Sequence, residues 1–384
     1  FRRRRGGGVA YAPSLSVVVP AYNEAVVINQ TIASLLSQDY EGEMEIVVVD
    51  DGSSDATYAV ARGRYGDEAK VAIYTKMNGG KASALNYGIA RARGEIVVGL
   101  DADTLFRPDT LRKLVAPLAD PDVGAVAGNA KVGNRVNIIT RWQAIEYVVS
   151  QNIDRRAFSL LNCITVVPGA VGAWRKSLVL EVGGFSEDTL AEDQDLTLAI
   201  RRNGKSIAYA DDAIAYTEAP DNFSGLAKQR FRWSFGTLQC MWKHRDALFH
   251  PRYGTLGMIA MPNVWLFQLL FTALSPLADL LFLWSLVSVW LVKQQHGATY
   301  AVTDLEQVLT FYAVFLAIDW VTAVIAFLAE PGEDKSLTWL VLLQRFAYRQ
   351  IMYWVVLRSF MAAIRGHIVG WGKLERKASV EVPA

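Results

Sequence analysis

The chain has 384 residues, 52% of them hydrophobic, with 39 basic side chains against 38 acidic ones, enough length for more than one structural unit. So even a balance gives no sign of a nucleic-acid partner. Cys163 and Cys240 stand far apart, and His244, His250, His296 and His367 form no ligand cluster, so neither a disulfide framework nor a zinc site is expected.

The apolar content is uneven and the shift marks a boundary: residues 14–250 read as a soluble α/β unit and residues 251–364 as apolar helices. Residues 1–13, with Arg2 to Arg5 and three glycines, read as a basic tail, either solvated or flanking a membrane helix that precedes them. Leu15-Ser-Val-Val-Val19 is a short apolar run closed by Pro20, and the helical pattern of Ala25 to Ser37 follows, the opening of a βαβ unit. A second strand, Glu45 to Val49, ends in Asp50-Asp-Gly-Ser-Ser-Asp55, where Ser and Asp suit a helix cap and Gly52 lets backbone approach a ligand. A third strand, 70–75, leads through Gly79 and Gly80 into a helix with Lys81 in its first turn; free amides there plus an ammonium group attract phosphate. Thr75 and Ala82 stand where a P-loop has Gly and Ser or Thr, and no GxGxxG follows the first strand, which argues against a dinucleotide-binding oxidoreductase.

The run Glu95-Ile-Val-Val-Gly-Leu-Asp-Ala-Asp103 reads as a buried strand with two carboxylates at its C-terminal edge, where open α/β sheets place their ligands. Alternation along a strand puts Asp101 and Asp103 on one side, a spacing that suits Mg²⁺ or Mn²⁺ completing its shell with phosphate oxygens. The competing reading is a strand end closed by acidic turn residues. A helix from Pro108, a strand near Val123 to Ala127 and a helical stretch from Ile139 to Leu161 come next, and in Val167 to Trp174 small residues crowd beside an aromatic. After Gly183-Gly184-Phe185, Glu192 and Asp193 open an amphipathic helix, as ordinary dipole partners or, facing a cleft, as a general base. Lys228-Gln-Arg-Phe-Arg-Trp233 gathers cations and aromatics on a helix ahead of the apolar region.

In this order, Val19-Pro-Ala-Tyr-Asn-Glu24, Asp50-Asp-Gly-Ser53, Asp101-Ala-Asp103, Glu192-Asp193 and Gln229-Arg-Phe-Arg-Trp233 resemble the inverting, processive family 2 glycosyltransferases. That group includes the cellulose, chitin, hyaluronan and poly-N-acetylglucosamine synthases. Over residues 14–250 the resemblance implies an α/β fold of the GT-A type, a Rossmann-like mixed sheet that binds a nucleotide-sugar, followed by transmembrane and interfacial helices. It implies that Pro20, Ala21, Tyr22 and Glu24 shape the uridine pocket, that Asp51 contacts the uracil and that Lys81 lies by the diphosphate. It assigns Asp101 to the nucleotide-sugar and Asp103 to the metal, Mg²⁺ or Mn²⁺. Asp193, with Glu192 beside it, matches the catalytic base, and Gln229, Arg232 and Trp233 match the element that binds the diphosphate and stacks the acceptor sugar. The family commonly has Thr-Glu-Asp; here Ala191 replaces the threonine, which touches local hydrogen bonding and leaves both carboxylates in place.

The chemistry implied is attack by a sugar hydroxyl on the anomeric carbon of a UDP-sugar, helped by a carboxylate that takes its proton, with inversion to a β linkage. The partners expected are the UDP-sugar, a growing glycan or lipid acceptor, the bilayer and an accessory membrane subunit. Val167 to Trp174 with Gly183-Gly184-Phe185 looks closer to the poly-N-acetylglucosamine branch than to the cellulose synthases, which favours UDP-N-acetylglucosamine, with UDP-glucose next. Single addition to a lipid carrier is the alternative.

Asn263 to Val292 and Gln307 to Ala329 are long enough to cross a hydrocarbon layer that needs roughly 20 apolar residues, with Pro276 and Asp279 interrupting the first. Leu337 to Ala363 carries Gln344, Arg345, Arg349, Gln350 and Arg358, a polar stripe suited to an interfacial helix or to a span facing a polar passage. The basic tail, residues 365–384, prefers the cytoplasm. With the catalytic unit cytosolic as well, an even number of crossings of the cell membrane and an interfacial place for 337–363 are expected.

Overall fold

Valine and isoleucine dominate 15–19, 46–49 and 96–98 so fully that neither face of these segments can meet water, and all three become central parallel strands. The computed structural model describes residues 11–296, 298–330, 332–365, 376–380 and 382; Arg2 to Arg5 and His367 lie outside them. Strands β1 (Leu15–Ala21), β2 (Met44–Asp50), β3 (Val71–Thr75) and β4 (Ile96–Gly99) pair in parallel in the order β3-β2-β1-β4. Helices α1 (Ile28–Leu36), α2 (Thr57–Tyr65) and α3 (Lys81–Arg91) make the crossovers.

Beyond β4 the sheet turns mixed. β5 (Thr104–Phe106), β6 (Val123–Val132), β7 (Gly172–Arg175) and β8 (Ser206–Thr217) extend it to eight strands, with β7 antiparallel to both β4 and β6, and β5 antiparallel to β8 at the edge. Trp174 of β7 is fully buried and explains the small residues around it. A Cβ on Gly172 would come within 2.3 Å of its ring and one on Gly99 within 3.0 Å, and Phe185 meets the ring edge-on at 5.6 Å.

The run from Glu95 to Asp103 is not one strand, as its apolarity suggests. β4 ends at Gly99, and Leu100 to Asp103 form the turn into β5, so strand alternation does not set the directions of the two aspartates. After α4 (Thr110–Val115), the stretch predicted as a helix from Ile139 to Leu161 is helical in three parts: α5 (Ile138–Glu146), a wide π-turn segment (Tyr147–Asn152) and α6 (Ile153–Leu160). Then come α7 (Lys176–Glu181), α8 (Glu192–Arg202) and α9 (Phe223–Lys243). Asn222 caps α9 by accepting from the Gly225 N–H.

Two stretches, Leu256–Gln295 and Leu305–Ala329, are long and apolar enough to cross a membrane. Their helices are α10 (Phe271–His296), which runs on through Pro276, and α11 (Ala298–Ala329). The third C-terminal helix, α12 (Leu340–Ile364), turns its polar stripe to their acids: Arg345 and Gln350 bind Asp279 at 2.8 and 2.7 Å, and Arg349 binds Asp319 at 2.9 Å. A buried charge network ties the end of α11 to the sheet. Lys131 of β6 lies 3.4 Å from Glu330 and 3.1 Å from Glu333, and Arg135 and Arg156 complete it.

Candidate active site

The C-terminal ends of β1, β2 and β4 open on one cleft, a cavity of about 1120 Å³ whose lining includes Pro20, Ala21, Tyr22, Glu24 and Asp51. Lys81, Asp101, Asp103, Glu192, Asp193, Gln229, Arg232 and Trp233 line the same cavity, so every candidate site residue read from the sequence faces one space.

Lys81 is the hinge of the arrangement. Its ammonium lies 2.7 Å from Asp101 and 3.0 Å from Glu192, joining the turn after β4 to the start of α8. Burial opposes that charge, yet the carboxylates of Asp101, Glu192 and Asp193 hold the ammonium well above the usual lysine range. Gly169 permits the approach: a Cβ there would stand 2.6 Å from the Lys81 nitrogen. Its N–H donates to Asp193 Oδ2 at 3.0 Å, and the Gln194 N–H donates to Oδ1 at 2.8 Å. Burial first, and Glu192 second, push the Asp193 carboxyl up to about 6.

Gly236 brings α9 against this segment, since a Cβ on it would lie 2.7 Å from that of Ala191. Gln239 and Thr237 of α9 bind the Leu190 N–H and the Gln194 side chain, so α9 and the loop entering α8 are held as one piece. On the same helix Arg230 stacks over Trp233 at 4.1 Å, donates to Gln229 Oε1 and forms an ion pair with Glu146 at 2.6 Å. Tyr348 of α12 also donates to Glu146, and Tyr147 leans on the Trp233 ring with centroids 6.4 Å apart.

One reading of the sequence changes. The Gly79 and Gly80 amides are not free for phosphate: both donate to the Asp51 carboxylate, which Lys76 also pairs at 2.7 Å. Asp51 thus shapes the loop before α3 while lining the cleft. The basic C-terminal tail, read from the sequence only as favouring the cytoplasm, meets the cleft. Among its described residues, Arg376 reaches Asp103 at 2.6 Å and the Glu218 carbonyl at 2.9 Å, and Lys377 pairs with Asp221. Asp103 is only 4% exposed and also accepts from Thr104 and Thr217.

Arg376, Arg230, Glu146 and Tyr348 were missed. Arg230 occupies a variable position of the Gln229-x-x-Arg232-Trp233 element, and the excess of acids in the motifs over Lys81 and Arg232 was a signal that a further cation was needed. No local pattern pointed to residue 376.

Asp101 and Asp103 provide two hard oxygen donors, too few for a closed cation cage and suited to an ion that also takes phosphate oxygens. Among the described residues no group of three or more His, Cys, Asp or Glu could hold a metal by itself. The donor set therefore fits a divalent ion that arrives with a diphosphate, once Arg376 yields Asp103.

A mixed sheet of this order, with a carboxylate pair after β4 and an acid at the start of α8 facing it, defines a glycosyltransferase of the GT-A type. Residues 12–236 match the family described as glycosyltransferase like family 2, and the chain belongs to that family. The poly-beta-1,6-N-acetyl-D-glucosamine synthase of Staphylococcus aureus strain COL is 31% identical over 223 residues, 58% of this chain and 54% of that protein. Its counterpart in Staphylococcus epidermidis RP62A is 32% identical over the same coverage. The chain spans about half the length of the curated relatives it matches. A mannosyltransferase from Pyrobaculum calidifontis, solved in complex with GDP-mannose and Mn²⁺, shares the fold with a TM-score of 0.60 at 23% identity, over 92% of this chain and 87% of that one.

Proposed function

We propose that the chain is a membrane-bound inverting hexosyltransferase that extends a β-linked polysaccharide from a UDP-sugar, with UDP-N-acetylglucosamine as donor. The observation that carries this reading is the Lys81 bridge, which fixes the Asp101 turn and the Glu192-Asp193 helix start at one cleft. The kinship with the two staphylococcal synthases supports the choice of sugar.

In this reading Pro20, Ala21, Tyr22, Glu24 and Asp51 form the nucleotide end of the cleft. Asp193 takes the proton of the attacking hydroxyl. A carboxyl poised near 6 is ionised at neutral pH and basic enough to help. Glu192 is spent on Lys81, which leaves one carboxylate for the acceptor and suits a single displacement. Lys81 and Arg232 offer positive charge to the departing diphosphate, and Trp233 presents a flat apolar face to the acceptor ring. Mg²⁺ or Mn²⁺ on Asp103, with Asp101 beside it, would supply further charge neutralisation for the diphosphate when bound. With α10 and α11 as crossings and α12 at the interface, the proposed place is the cell membrane with the catalytic unit in the cytoplasm, which the two long apolar stretches support, and an accessory membrane subunit is a further proposed partner.

Membranes containing the full chain, incubated with radiolabelled UDP-sugars and Mn²⁺, test the proposal. The expected product is a polymer from UDP-N-acetylglucosamine. A single sugar on a lipid, or polymer only from UDP-glucose, overturns it.

A further inference from the structure

Resting on the transferase reading above, we propose that the cleft-facing side of residues 147–158 is a seat for the pyranose rings of a neutral glycan acceptor, with Asp154 and Arg155 reading their hydroxyls. Tyr147, Ser150, Gln151, Asp154, Arg155 and Phe158 recur at intervals of three or four and all line the cavity. The π-turn segment at 147–152 sets this face, and wide turns of that kind are frequent at functional sites. The face extends along about 15 Å of helix, more than one ring requires.

The polar groups on it are unspent. Arg155 Nη1 is sealed from solvent and donates to nothing, and the side chains of Ser150, Gln151 and Asp154 have no hydrogen bond or ion pair among the described residues. The next residue makes the contrast. Arg156, on the other side of the helix, is fully engaged with Glu330 and Asp211. A buried guanidinium donor without a partner costs free energy that a ligand oxygen would restore.

The chemistry of the row matches a sugar. At one end Tyr147, almost wholly buried, backs the Trp233 ring, and at the other the partly buried Phe158 offers apolar ring surface to the cavity. Between them a carboxylate can accept from hydroxyls while a guanidinium donates to ring and hydroxyl oxygens. A phosphate-bearing acceptor fits less well, because Asp154 stands next to Arg155 and Asp193 lies within electrostatic reach of it.

The test uses the full chain in nanodiscs, with the N-acetylglucosamine trimer as soluble acceptor and, in a second arm, polyprenyl phosphate. Arg155→Ala and, separately, Gln151→Ala are compared with the unaltered protein for acceptor KM, UDP affinity and product length. The expected result for Arg155→Ala is a rise of about 10- to 100-fold in the trimer KM, as for loss of one or two hydrogen bonds to a charged group, with UDP affinity unchanged and shorter products. Gln151→Ala should shift the same KM by a smaller factor, and unchanged UDP affinity shows that each variant is folded. A trimer KM within twofold of the unaltered value in both variants overturns the proposal, as does an effect confined to polyprenyl phosphate or to UDP. Failure of the unaltered protein to use any sugar donor would instead sink the transferase reading on which this rests.

Discussion

The two ends of the cleft treat charge in opposite ways. Toward β1 and β4 each principal charge has a protein partner: Asp51 with Lys76, Asp101 and Glu192 with Lys81, and Asp103 with Arg376. Farther along the cleft, the side chains of Ser150, Gln151, Asp154 and Arg155 have no hydrogen bond or ion pair among the described residues. On the proposed reading, the difference follows from what each end receives. A nucleotide diphosphate brings dense charge and needs a preformed, balanced frame in which cations are exchanged as it enters. A neutral glycan brings only hydroxyls and is best met by groups left open to it.

The comparison is broken or sharpened by substitution. Asp193→Asn should lower transfer by about 10³-fold, within the range for loss of a general base, while UDP binding measured by calorimetry stays put. Next comes pH. Because the Asp193 carboxyl is raised to about 6, it is protonated below that value and cannot accept a proton, so kcat should fall about tenfold between pH 7 and 5. A profile flat down to pH 5 would remove Asp193 from that role. Gly169→Ala should cost about tenfold in kcat, since its methyl pushes Lys81 off the carboxylates it joins; restored activity in Gly169→Ala with Lys81→Arg would argue for a different cause. Arg230→Lys keeps the charge but loses the fork that grips Glu146 and covers Trp233, and should raise acceptor KM several-fold with the donor KM unmoved. The smallest effect on chemistry belongs to Lys131→Met. It removes one cation from two buried carboxylates, which keep Arg156 and Arg135 as partners, and should lower stability by about 1–3 kcal/mol in thermal unfolding, with UDP affinity retained.

Much of the frame was legible in the sequence because its signals are local. The valine-rich strands, the acidic turns at 50–55 and 101–103, and the order of the motifs pointed to the right sheet and to residues that line one cavity. Strand length at 95–103 was overread because apolar residues continue past the last ladder bond, and periodicity alone does not show where pairing stops. The partners of the motifs were hidden for another reason. Arg376 meets Asp103 across a separation of 273 residues, derived from their positions, and Tyr348 meets Glu146 across 202. Such pairs depend on how the helical part packs on the sheet. Likewise the polar stripe of α12 was legible, but its partners Asp279 and Asp319 were not.

The central claim is a single in-line displacement in which the acceptor hydroxyl attacks from the Asp193 side of the cleft. The anomeric configuration of the linkage formed in the first turnover, read by proton NMR from an α-linked UDP-sugar, tests it most directly. The account predicts a β linkage; an α linkage would contradict it.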